Sequence, residues 1–131
     1  MVAYSFKAQF AQPIIDRTKG GTIRADRRRH ARPGEELQLY TGMRTKQCRL
    51  ISRETCLDAL PIGLDFPNNA VILSIRQHAL TGWKLLDAFA LFDGFQNWLA
   101  LREFWRKEHG SDLKLFNGVH IRWLDWPEVL R

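Results

Sequence analysis

Apolar and polar residues alternate along Tyr4-Ser5-Phe6-Lys7-Ala8-Gln9-Phe10, and a period of two predicts a first strand. Ala11 to Thr18 reads as a short helix with Pro13 in its first turn, where proline is tolerated. Gly20-Gly21 ends that helix, and Thr22-Ile23-Arg24 is a short extended segment. Pro33-Gly34-Glu35-Glu36 is a turn, and alternation returns in Leu37-Gln38-Leu39-Tyr40-Thr41, a second full strand. Gly42 to Thr45 is a loop. Gln47 to Thr55 is a further strand, with Cys48, Leu50 and Ser52 on one face.

Residues 56–69 contain Pro61, Gly63, Pro67 and Asn68-Asn69 and read as irregular. Ala70 to Ile75 is β-branched and apolar, which predicts a buried strand. Leu85 to Phe92 is a short apolar helix, interrupted by Asp93-Gly94. Phe95 to His109 is the clearest helix, with Phe95, Trp98, Leu99, Leu101 and Trp105 on its inner stripe. Asp93 stands as its N-cap with Gln96 at the third helical position, a variant of the capping box. Gly110 stops the helix, and Val119 to Trp123 alternates as a closing strand. This order predicts one α+β domain over residues 1–131, with a mostly antiparallel sheet able to close and short flanking helices.

The chain has 131 residues, enough to bury a core without disulfide staples. Five tryptophans and eight phenylalanines are generous for this length, and planar side chains beyond those the core needs can stack on bases. Charge is uneven. Residues 1–50 hold 11 Lys/Arg against 4 Asp/Glu, and residues 51–131 hold 9 against 10. A basic first half points to a polyanionic partner, RNA or a nucleotide first. Cys48 and Cys56 lack metal or redox spacing, and no secretory pattern precedes them, so reduced thiols in a cytoplasmic protein are expected. No apolar run is long enough for a membrane helix.

The chain has no P-loop, GxGxxG, GxSxG or HExxH motif. Its four histidines, His30, His78, His109 and His120, show no ligand spacing, so neither a metal nor another cofactor is expected. The segment Lys19-Gly20-Gly21-Thr22-Ile23-Arg24 is the richest in chemistry. If residues 22–24 are extended, Thr22 and Arg24 share a face. A lysine of lowered pKa can take the threonine proton and create a nucleophile. Arg24 can hold a phosphate or a carbonyl oxygen. Helix, glycine pair and strand is also an ordinary connection, and lysines are usually solvated. Asp26-Arg27-Arg28-Arg29-His30-Ala31-Arg32 is a basic loop that on an RNA-binding domain would hold phosphates.

Three stretches in order carry a family resemblance. They are Phe6-Lys7-x-x-Phe10-Ala11-x-x-Ile14 with Lys19-x-x-Thr22-Ile23-Arg24; Pro33-Gly34-x-x-Leu37-x-Leu39-Tyr40-Thr41-Gly42-x-Arg44; and Phe89-Ala90-x-x-Asp93-Gly94-Phe95. Together they resemble the ASCH family, over roughly residues 4–123. The resemblance implies a PUA-like, mostly antiparallel β-barrel and work on RNA or a modified nucleoside. One bacterial branch hydrolyses N(4)-acetylcytidine to cytidine with a lysine, a threonine and a glutamate. The first two match Lys19 and Thr22, and the third falls at Asp93, one methylene shorter. The expected nucleic-acid or substrate contacts are Arg24, Arg27, Arg28, Arg29 and Arg32 of the basic first half, with Tyr40 and Arg44. Ribonuclease activity and a non-enzymatic adaptor role are the alternatives.

Overall fold

In the computed structural model, which describes residues 1–131, the chain starts with strand β1 (Val2–Phe6) and a 3-10 turn at Ala8–Phe10. Helix α1 (Ala11–Ile15) follows, then β2 (Gly21–Arg24), β3 (Glu36–Thr41), β4 (Arg49–Thr55), β5 (Asp58–Asp65) and β6 (Ala70–Leu73). Helices α2 (Trp83–Phe92) and α3 (Trp98–His109) precede β7 (Leu115–Arg122) and a 3-10 turn at Glu128–Leu130. The α+β class is therefore observed. No helix is long and apolar enough to cross a membrane.

The strands divide into two sheets, ordered β1-β3-β4 and β2-β7-β5-β6, and do not close into a barrel. β1 pairs with β3 in parallel, and every other pair is antiparallel. In β3 the alternation does what its period dictates: Leu37 and Leu39 are fully buried while Gln38 and Tyr40 stay partly exposed. Ile62, Leu64, Val71, Ile121 and Trp98 bring the second sheet and α3 into the same core.

Several boundaries differ from the sequence reading. The first strand ends at Phe6, and the chain turns through a 3-10 turn before Phe10. Helix α1 stops at Ile15, after which Arg17 takes a positive φ of 62°. Residues 58–65 form β5, not an irregular segment. Pro61 fits inside it because β6 covers β5 only from Ile62 onward, and the edge beside Pro61 needs no N–H donor. Cys48 precedes β4 and Leu50 is exposed, so that strand has no core face at those positions.

Helix α3 begins at Trp98, three residues after Phe95, and Leu99 lies on its outer side at 54% exposure. Its true N-cap is Asn97, whose Oδ1 accepts from Ala100 N at 2.9 Å. Asp87 of α2 takes the Trp98 N–H at 2.9 Å. Asp93, read as the cap, is instead the last residue of α2's C-terminal turn. Two other side chains have satisfied α3's first amides, and the Asp93 carboxylate is left for another use.

Candidate active site

The two sheets part between β1 and β2, and the gap is a cleft of about 260 Å³. Ser5, Phe6 and Lys7 line one side, and Thr22, Ile23 and Arg24 the other. Lys19 and Asp93 lie at its floor, with Phe10, Phe95, Phe104 and Trp105 as apolar wall. Phe10, Phe95 and Phe104 pack edge-on or tilted, with centroids 5.2 to 5.5 Å apart.

Only four polar or charged side chains are buried in this protein: Lys19, Thr22, Asp93 and His120. The first three line this one cleft. Lys19 Nζ donates to Gly21 O at 2.7 Å and to Asp93 O. The second bond uses a carbonyl that the end of α2 leaves unpaired. The Asp93 carboxylate lies 3.5 Å from the same nitrogen, and its Oδ1 has no hydrogen-bond partner. The ammonium position also sits over the Phe10 and Phe6 rings, at 5.0 and 5.5 Å from their centroids.

Burial lowers the Lys19 pKa, Asp93 opposes that shift, and the Arg24 cation adds to it. Burial likewise raises the Asp93 carboxyl to about 6, against the pull of Lys19 and Arg24. An amine whose two N–H bonds are committed to carbonyls keeps a lone pair in a fixed direction. That is the arrangement a proton acceptor needs.

Thr22 Oγ1 accepts from Arg24 Nε at 3.2 Å, as the shared face of an extended segment requires. Lys19 makes no direct hydrogen bond to Thr22. Arg24 Nη2 donates to Ser5 O at 2.7 Å, across the gap between the sheets, and its guanidinium lies 4.7 Å from the Phe6 centroid. The Gly20 N–H, a candidate donor near the nucleophile, is committed to Phe92 O at 2.9 Å.

The other expected contacts lie outside the cleft. Arg27 stacks on Tyr4 at 4.5 Å and its Nε donates to Arg29 O; Arg29 pairs with Glu35. Arg28 and Arg32 are exposed with no side-chain partner. Tyr40 donates to Gln38 Oε1 at 2.9 Å on β3, and Arg44 is exposed on the β3–β4 loop at φ 66°. Sequence reasoning missed Ser5, which lines the cleft from β1, and Glu108 and His109, which the end of α3 brings to the same cleft. At the mouth Lys7 meets Glu108 at 2.8 Å. No group of three or more His, Cys, Asp or Glu side chains is placed to hold a metal ion.

No family model, curated protein or solved structure matches this chain. The chemistry of the cleft therefore rests on its own residues.

Proposed function

We propose that the cleft hydrolyses the amide of an acylated nucleobase, with N(4)-acetylcytidine the substrate that the ASCH resemblance names. One observation carries this reading: three of the four buried polar side chains are Lys19, Thr22 and Asp93, and they line a single cleft. Burying a lysine and an aspartate costs stability, so a cleft that keeps both is a candidate working site. The size also suits a nucleoside rather than a polymer, being near the lower limit of small-molecule sites.

In the proposed reaction the substrate base lies against Phe104 and Trp105. Thr22 Oγ1 attacks the acyl carbon while its proton passes to neutral Lys19, directly or through one water. The C–N bond breaks, and Lys19 or Asp93 returns the proton to the leaving amine. Water then cleaves the threonine ester to release acetate. On the same reading the two sheets are the halves of a PUA-like barrel, parted along the β1–β2 seam. Incubation of the purified protein with N(4)-acetylcytidine, followed by chromatography, should show cytidine and acetate. Thr22→Val protein should show neither. An unchanged substrate peak with the wild-type protein would end the proposal.

RNA binding by the loop over residues 26–32 is the second reading, favoured by the unpaired Arg28 and Arg32. Its test is a titration with single-stranded RNA at several salt concentrations. Arg28→Ala/Arg32→Ala should flatten the salt dependence if those side chains hold phosphates.

A further inference from the structure

We propose that the main-chain N–H of Ile23 is an oxyanion donor of this cleft, receiving the acyl oxygen as Thr22 attacks. The inference rests on the hydrolase reading and adds a group that no side chain reveals.

The register fixes where the Ile23 amide points. β2 and β7 are antiparallel, with Gly21 opposite Arg122, Thr22 opposite Ile121, Ile23 opposite His120 and Arg24 opposite Val119. Hydrogen-bonded and non-bonded pairs alternate along such a ladder. Trp123 N donates to Gly20 O at 2.8 Å, so the pair Gly20/Trp123 is a bonded one. The pairs at Thr22 and Arg24 are then bonded, and those at Gly21 and Ile23 are not. The other edge of β7 agrees. Phe66 N donates to Lys114 O at 3.0 Å, which gives even-numbered β7 residues, His120 among them, to β5.

Gly21 and Ile23 therefore turn their peptide groups away from β7, into the seam. Gly21 demonstrates it, because its carbonyl is the one Lys19 Nζ reaches. Ile23 has no such partner. The residue is buried and lines the cleft, and the register turns its N–H toward that side. An unpaired N–H in a partly enclosed place is rare unless something binds it. This one belongs to the peptide that follows the nucleophile. Arg24 adds a second donor beside it. Its Nε and Nη2 are engaged by Thr22 and Ser5, and Nη1 makes no hydrogen bond within the chain. A main-chain donor fixed by a sheet needs no reorganisation when charge develops, which is what makes such donors effective.

The test removes the N–H and otherwise only weakens the Thr22 carbonyl as the acceptor of the Ile121 N–H. Replacing Ile23 by its α-hydroxy acid analogue turns the peptide between residues 22 and 23 into an ester and keeps the core side chain. Because that N–H pairs with nothing, the melting temperature should fall only by the weakening of one acceptor. The same exchange at Ile121, which deletes an N–H that pairs with β2, should lower it further. Turnover of N(4)-acetylcytidine should fall by about 10²–10³ at Ile23, with KM little changed. In Thr22→Val protein, saturation with N(4)-acetylcytidine should move the Ile23 amide proton downfield. Wild-type turnover in the ester protein, or an unmoved Ile23 amide at saturation, overturns the donor and leaves the hydrolase reading standing. Absence of both binding and turnover in the wild-type protein overturns the reading, and the donor with it.

Discussion

Arg24 Nη2 donates to the main-chain oxygen of Ser5 at 2.7 Å, and this bond ties the second sheet to the first where their strands do not pair. The same guanidinium holds Thr22 Oγ1. Arg24→Met would keep much of the aliphatic packing on Phe6 and leave both oxygens without a donor. The expected cost is about 1–3 kcal/mol, read as a lower urea midpoint. A midpoint equal to wild type would mean that the seam is held elsewhere.

The pH dependence of turnover should report Lys19. A base works only when unprotonated, so the rate should rise with pH through the depressed Lys19 pKa. Removing the Arg24 cation takes away a cause of the depression, so Arg24→Met should move that rise to higher pH. Asp93 acts in the other direction. Asp93→Asn removes the charge that favours the ammonium, so the rise should occur at lower pH while the rate falls. Shifts of the same sign in both proteins would exclude Lys19 as the group observed.

Lys19 and Asp93 should also be coupled in stability. Either one alone is a buried group without its counter-charge, so Lys19→Met and Asp93→Leu should each destabilise, by about 3 kcal/mol or more if the survivor stays charged. The double substitution places two apolar side chains among Phe6, Phe10 and Phe95 and should recover much of the loss. A double-mutant cycle by chemical denaturation measures the coupling, and simple additivity would show that the pair does not interact.

The sequence made the repeating elements legible where one face is buried. Leu37 and Leu39 announce β3, and Trp98, Leu101 and Trp105 announce α3, because period and burial coincide there. It failed at β5, where Pro61 reads as a breaker and only the sheet reveals that it lies just past the end of β6, with its carbonyl accepting from Ser74 N. It also failed at Asp93, since a capping pattern and a helix C-terminus look alike in sequence, and the cap is Asn97, with Asp87 from another helix taking the Trp98 N–H. Lys19 and Thr22 were visible as a spacing, but their burial was not. The Phe6, Phe10 and Phe95 rings that enclose the site come from distant stretches and meet only in the fold. The direction of the Ile23 amide depends on register, which no local pattern encodes.

His120 sets the last prediction. It is the fourth buried polar side chain, 2% exposed, stacked on Trp126 at 5.3 Å and flanked by Phe89 and Phe92. Its Nε2 has no partner and lies against Gly21, where an added Cβ would come within 2.5 Å of it. Burial, helped by the Lys19 and Arg122 cations, lowers its pKa from 6.5 to about 3. The unfolded chain therefore binds a proton over that range and the folded chain does not. A depressed pKa gives stability that is fully present above pH 6.5 and lost as pH falls toward 3. Asp93 works against it. Its carboxyl, raised to about 6, takes up a proton in the folded chain first and adds stability on acidification from 6 toward 4. The wild-type slope between these values is the difference of two opposed titrations. His120→Leu replaces the ring stacked on Trp126 with a branched chain of similar volume and different shape, and should cost about 1–3 kcal/mol at neutral pH. It should also flatten or reverse the loss of stability between pH 6.5 and 4, because only the Asp93 contribution remains of the two. Denaturation midpoints measured across that range test the sign. A slope equal to wild type would show that His120 is protonated as readily in the folded chain as in the unfolded one.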